Sequence, residues 1–250
     1  MRLLVALWRL AATVGLIASG LWQVRVVLPR LDEAARRARV QAWSAKALRR
    51  LGVELRIEGR PQPGGVLIVA NHVSWLDITT LHAVAPQVRF VSKSAIAHWP
   101  LLGSLARAAR TLFIEREKKR DALRVVHEVA AALKDGDTVG VFPEGTTGPG
   151  GTLLPFHANL LQAAIATGVP VQPVVLRYSE PGLPVSIAAQ YIGDTTLVGS
   201  LLKVAGARGL VVHVAFLEAE PAGETERRRL AQAMQARIAA RLAMDLASSA

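Results

Sequence analysis

At 250 residues the chain has room for one large domain or two small ones, and for a sizeable buried core. It contains no cysteine, which excludes disulfides, a thiolate nucleophile, a covalent acyl-cysteine intermediate and a cysteine-ligated metal. The formal charge is +11, and with 5% aromatic residues and no recognition motif the excess points to anionic lipid headgroups rather than nucleic acid.

Residues 1–60 hold twelve arginines and lysines against four carboxylates, so most of the excess lies beside the most apolar part of the chain. Residues 3–28 are strongly apolar but interrupted by Arg9 and Arg25. The clean stretch, Leu10 to Val24, has fifteen residues, whereas a spanning helix needs about 20. Ala18-Ser19-Gly20 makes a poor cleavage site, so the segment reads as a retained helix. We expect it to dip into or lie along a membrane with Trp8 and Trp22 near the headgroups; a single span stays open. Coverage by the protein's own core is disfavoured, because Arg9 and Arg25 would need partners. After Pro29, Leu31 to Leu51 reads as a basic second helix with an apolar side at Val40, Trp43, Ala47 and Leu48. These two helices form an expected membrane-associating unit over residues 1–51, followed by an α/β unit over 52–250.

Val53 to Glu58 alternates as an edge or half-buried strand does. Val66 to Ala70 is an unbroken apolar run, β-branched at three of five positions, and reads as a strand buried on both faces. Asn71 and His72 follow where that strand should end. Ser74 is placed to cap a helix from about Trp75 to Ala83, with Asp77 three residues beyond it. The His72-to-Asp77 spacing of five leaves the side chains about 140° apart on one helix, and on opposite faces of one strand. Only a break between them, such as a strand-to-helix turn, lets imidazole and carboxylate meet. A carboxylate on one ring nitrogen fixes the tautomer and frees the other nitrogen to take a proton. The alternative is a loop histidine beside a capping box.

Further strands are expected at about 88–91, 111–115, 138–142, 171–176, 185–192 and 210–216, with helices over Lys119 to Leu133, Pro155 to Thr167 and Glu224 to Leu246. Lys93 falls just after one strand, and Arg116 ends the run Thr111 to Arg116. Both cations suit a phosphate, Arg116 through bidentate contact. His127-Glu128 begins a zinc-protease spacing, but Ala131 stands where the second ligand would be, and the six histidines do not cluster, so no metal is expected. Phe142-Pro143-Glu144-Gly145-Thr146 follows a strand. Its glycine permits close backbone approach, and Glu144 and Thr146 can bond hydroxyl or phosphate oxygens. The glycine-rich run that continues is not a P-loop, because Gly151 stands where lysine should be. Strands alternating with helices give an α/β fold with a mostly parallel central sheet flanked by helices. The motif residues fall after strands, where ligands bind in open α/β sheets.

Asn71-His72-x-Ser74-x-x-Asp77 resembles the first motif block of the glycerolipid acyltransferase superfamily. Ile114-Glu115-Arg116 resembles the second, with glutamate for the usual aspartate. Phe142 to Thr146 is similar to the third residue for residue, and Val171 to Leu176 resembles the fourth. The resemblance implies acyl transfer from a thioester, acyl-CoA or acyl carrier protein, to the free hydroxyl of lysophosphatidic acid, giving phosphatidic acid without a bound cofactor. It implies His72 as general base, Asp77 as its orienting partner, and Lys93, Arg116, Glu144, Gly145 and Thr146 around the acceptor headgroup. It also implies attachment to the cytoplasmic face of the inner membrane. Thr147 departs from the arginine usual in acylglycerol-phosphate acyltransferases, and brings in relatives that acylate lyso-ornithine lipid. A non-catalytic membrane-binding protein is the third reading.

Overall fold

A computed structural model describes residues 2–99, 102–114, 119–223 and 225–248. Val66–Ala70 (β2) forms as expected: all five residues are buried, and alternate side chains enter two separate core clusters. Val66, Ile68 and Ala70 face one cluster and Leu67 and Val69 the other, as a pleated strand between two helical layers requires. Burying each large aliphatic side chain contributes about 1.5–3 kcal/mol.

Around β2 the chain runs α1 (Arg2–Trp22), α2 (Glu33–Leu51), β1 (Val53–Glu58), β2, α3 (Leu76–Val84), β3 (Val88–Lys93), α4 (Ser94–Ala97), α5 (Leu102–Ala108), β4 (Leu112–Ile114), α6 (Lys119–Lys134), β5 (Thr138–Val141), α7 (Leu161–Thr167), β6 (Pro170–Ser179), α8 (Leu197–Gly206), β7 (Leu210–Phe216), β8 (Glu220–Pro221) and α9 (Arg227–Ala247). The strands order as β1-β7-β6-β2-β5-β3-β4, with β8 paired to the start of β6. From β6 to β4 the pairing is parallel. β7 runs antiparallel to β6, and β1 runs with β7. So β1 begins at the end of the sheet where β2, β3, β5 and β6 finish. One helical layer supplies Leu48, Leu51, Leu76, Leu81, Val204 and Ala205 to the core. The other supplies Val129, Leu133, Leu161, Met234 and Ile238.

The first two helices are tied to the α/β core rather than apart from it. Asp32 caps α2 by accepting from the Ala35 N–H at 2.8 Å, and Gly52 ends it at φ 75°. A side chain there would also collide with the Arg9 guanidinium, whose Cζ lies 2.4 Å from an ideal Cβ. Arg9 does have partners, against our expectation: Nη1 donates to the carbonyls of Ala205 and Ala207 at 3.1 and 2.7 Å, at the end of α8. Trp43 Nε1 donates to the Leu16 carbonyl at 3.0 Å, and Leu16 is buried. One side of α1 is therefore covered by the protein itself, while Trp8, Val14 and Trp22 stay exposed. Among the described residues no helix is long and apolar enough to cross a membrane.

Two further expectations change. Residues 185–192 form no strand. Its backbone bonds form no ladder: Ser186 N–H donates to the Tyr178 carbonyl of β6 at 2.7 Å, beyond the last β2 pair at Val174, Ala189 N–H turns back to Ser186 Oγ at 3.1 Å, and Tyr191 N–H goes to the Val73 carbonyl at 3.2 Å. The helix expected from Pro155 begins later, at a 3₁₀ turn over Ala158–Leu160, because His157 N–H is drawn to the Pro143 carbonyl at 2.8 Å.

Gly140 in β5 leaves room for its neighbours. A Cβ there would lie 2.6 Å from Val88 Cγ1 and 2.8 Å from Phe90 Cε1. Gly140→Ala should therefore lower stability by about 1–3 kcal/mol through overpacking, read as a fall in melting temperature; an unchanged melting temperature would show that β3 yields freely.

Candidate active site

The site is built where β2 stops and α3 begins. Asn71 ends the strand by side chain: its Nδ2 donates to the Leu176 carbonyl and its Oδ1 accepts the Leu176 N–H, both at 2.8 Å. The chain then turns, and His72 and Asp77 meet across the turn, with Nδ1 2.7 Å from Oδ2. The His72 side chain keeps 18% exposure while Asp77 is fully buried. Nε2 of His72 makes no hydrogen bond among the described residues. A ring with Nδ1–H directed at a carboxylate presents Nε2 as the proton acceptor.

Asp77 is held as firmly as it holds. Its Oδ2 also accepts the backbone N–H groups of Val73 and Ser74 at 2.7 and 2.9 Å, and its Oδ1 accepts the Tyr178 hydroxyl at 2.7 Å. It lies in the first turn of α3, where the helix end favours a negative charge. The expected capping role of Ser74 is not what the structure shows. No side chain caps α3, and the Ser74 hydroxyl is buried without a hydrogen-bond partner among the described residues. The turn's N–H groups go to Asp77 instead, and a carboxylate is the stronger acceptor.

The imidazole is also fixed from behind. Phe142 stacks on it with centroids 4.0 Å apart and planes 14° from parallel, and Phe90 stacks on Phe142 at 5.6 Å. Beyond them His82 is buried against Phe90, and burial depresses its imidazole to about 4, so it stays neutral.

Glu144 takes a different part from the headgroup contact expected of it. It is buried, and both oxygens serve the main chain: Oε1 accepts the His72 N–H at 2.7 Å and Oε2 the Leu154 N–H at 2.8 Å. Burial raises its carboxyl above the usual range, opposed by those two N–H groups. With the Gly148 N–H on the His72 carbonyl at 2.7 Å, the whole His72 peptide is bolted to the Phe142–Gly151 loop. Glu144 thus braces the His72 backbone from inside the protein. Gly145 adopts φ 72°, the left-handed conformation that glycine enters without strain. Thr146 is exposed beside it. Lys93 is exposed at the end of β3, in register with Ile114 at the end of β4. Arg116 lies outside the described residues. Thr147 donates its hydroxyl to the Tyr191 carbonyl, and Gln190 Nε2 donates to the Pro149 carbonyl at 2.8 Å, so residues 185–192 wall one side of the loop. Among the described residues no three His, Asp or Glu side chains converge as a metal site would need.

Sequence reasoning did not find the parts played by Tyr178, Phe142 and Asn71. Phe142 and Asn71 were visible within the motif blocks, but nothing local marked the tyrosine.

The site thus joins a partly exposed strand-end imidazole, a buried carboxylate and a glycine-containing loop. The sequence pattern of the Acyltransferase family matches residues 53–177, and the chain belongs to that family. It is 40% identical over 247 residues to a lyso-ornithine lipid O-acyltransferase of Pseudomonas aeruginosa, covering 95% of this chain and 93% of that one. It is 38% identical over 197 residues to a 1-acyl-sn-glycerol-3-phosphate acyltransferase of Neisseria gonorrhoeae, covering 78% and 76% of the two chains. The crystal structure of the 1-acyl-sn-glycerophosphate acyltransferase PlsC of Thermotoga maritima shares the fold, with a TM-score of 0.72 over 98% of this chain and 97% of that one, at 22% identity.

Proposed function

We propose that this acyltransferase moves a fatty acyl group from a thioester to the free hydroxyl of a membrane lysolipid, with His72 as general base. The observation that carries the reading is the 2.7 Å contact between His72 Nδ1 and Asp77 Oδ2, which leaves Nε2 to meet the acceptor. As the acceptor oxygen attacks the thioester carbonyl carbon, its proton passes to Nε2. Asp77 stabilises the imidazolium so formed. The carbon–sulfur bond then breaks, and the imidazolium returns the proton to the departing thiolate. No side-chain nucleophile is needed, because a thioester is already activated. The donor is acyl-CoA or acyl carrier protein, and the enzyme works at the cytoplasmic face of the inner membrane, seated by the exposed Trp8 and Trp22 and the basic charge around them.

Two acceptors are favoured by different observations. Lyso-ornithine lipid is favoured by the Pseudomonas relative, matched over almost its whole length, and by Thr147, whose hydroxyl is engaged with Tyr191 where an arginine would add a phosphate-binding charge. Lysophosphatidic acid is favoured by Lys93 at the end of β3, by the arginine of the second motif block, Arg116, and by the Neisseria relative. Purified enzyme in mixed micelles, given each lysolipid with each donor, decides between them. We expect kcat/KM for lyso-ornithine lipid to exceed that for lysophosphatidic acid by at least about tenfold, a difference of roughly 1.4 kcal/mol in transition-state binding. The reverse ratio would assign the phosphate acceptor, and no transfer to either would remove the lysolipid reading.

A further inference from the structure

Tyr178 is the second-to-last residue of β6, the strand beside β2, and its side chain is 2% exposed. Its hydroxyl donates to Asp77 Oδ1 at 2.7 Å, and Thr80 Oγ1 lies 3.4 Å from the Tyr178 hydroxyl oxygen. The carboxylate's two oxygens are therefore divided. Oδ2 serves the imidazole and two backbone N–H groups, while Tyr178 holds Oδ1. The terminal torsion of an aspartate is broad and roughly two-fold, so a carboxylate does not choose its own orientation. A donor fixed on the far oxygen sets it. Burial raises the phenol well above its usual range, with the Asp77 charge adding to the effect, so the hydroxyl keeps its proton wherever the enzyme works.

We infer that Tyr178 is a positioning residue for acyl transfer, clamping Asp77 so that one carboxylate oxygen stays aimed at His72 Nδ1 throughout the proton transfer. The inference rests on the proposed roles of His72 and Asp77 and goes beyond them, because it makes the geometry of the pair depend on a strand over a hundred residues away. Loss of the clamp should act on turnover more than on acceptor binding, since the tyrosine faces the carboxylate and not the lipid.

The test is a double-mutant cycle on the full chain. Tyr178→Phe keeps the ring and removes only the hydroxyl. We expect kcat to fall about tenfold, the effect of one charge-assisted hydrogen bond, with KM for the acceptor unchanged. In an Asp77→Asn background the same substitution should change kcat less than twofold, because there is no charged carboxylate left to aim. A tyrosine that merely packs would cost the same factor in both backgrounds, and that result, or wild-type kcat in folded Tyr178→Phe, overturns the inference. His72→Ala is run alongside: if it retains transfer, the proposed function fails, whereas inactive His72→Ala with unimpaired Tyr178→Phe removes the clamp alone. A measurement that does not depend on the folding of Tyr178→Phe comes from 3-fluorotyrosine, since the chain has two tyrosines, and Tyr191→Phe identifies the second fluorine signal. The Tyr178 signal should move when Asp77 becomes asparagine; an unmoved signal also overturns the inference.

Discussion

His72→Ala should lower kcat by about 10²–10⁴-fold, the range a positioned general base supplies, and leave binding to anionic vesicles intact. The ring has no structural duty large enough to confuse the result. Its 18% exposure and its stack on Phe142 make it the surface end of an aromatic column, while the backbone bonds to Glu144 and Gly148 remain in the variant. Initial rates of acyl transfer measured beside vesicle co-sedimentation separate chemistry from attachment. Undiminished transfer would refute the mechanism. Equal loss of both would mean that the substitution had disturbed the fold.

Asp77→Ala carries the other large effect, and it falls on stability as well as rate. The fully buried carboxylate takes hydrogen bonds from His72, Val73, Ser74 and Tyr178. Truncation leaves two buried N–H groups and a phenol without an acceptor, each costing about 1–3 kcal/mol before relaxation. A net loss of about 3 kcal/mol is expected, which for a chain of this size lowers the melting temperature by about 6–12 °C. Differential scanning calorimetry reads it directly. Asp77→Asn retains one acceptor oxygen and should fall between the alanine variant and the parent. If Asp77→Ala melts with the parent, the carboxylate is not the keystone of the turn.

What was legible in the sequence was what is local. The His72–Asp77 pair could be read because five residues and one break in the backbone decide whether two side chains meet. β2 could be read because five apolar residues without alternation leave few other fates. The rest of the site depends on distant contacts. Tyr178 reaches Asp77 across 101 positions, and Asn71 reaches Leu176 across 105. Glu144 sat in a recognised motif, yet its role turns on where the His72 and Leu154 N–H groups point, which no spacing shows. Arg9 looked unpartnered because its acceptors are backbone carbonyls, 196 and 198 positions away, that carry no sequence signature. α8 did leave a trace that was passed over: Thr196 accepts the Gly199 N–H as a cap, followed by buried Ser200, Val204 and Ala205 at helical spacing. The stretch 185–192 has strand-like composition, but Ser186 Oγ draws back the Ala189 N–H and Gln190 reaches the Pro149 carbonyl, so local turns and loop contacts replace the ladder.

Because β1 runs against β2, the turn at Gly52 and the Arg9 clasp on α8 share the end of the sheet at which His72 stands. Under the proposed seating of α1 on a bilayer, that shared end would hold the reaction centre near the leaflet. Drawing a hydrocarbon tail fully into water costs about 0.8 kcal/mol for each methylene, more than 10 kcal/mol for an ordinary fatty chain. A substrate that rises only as far as its headgroup, tail still immersed, is spared most of that barrier. Reversal of β7 and β1 against β6 would thus bring the catalyst down to the lipid instead of lifting the lipid up to the catalyst.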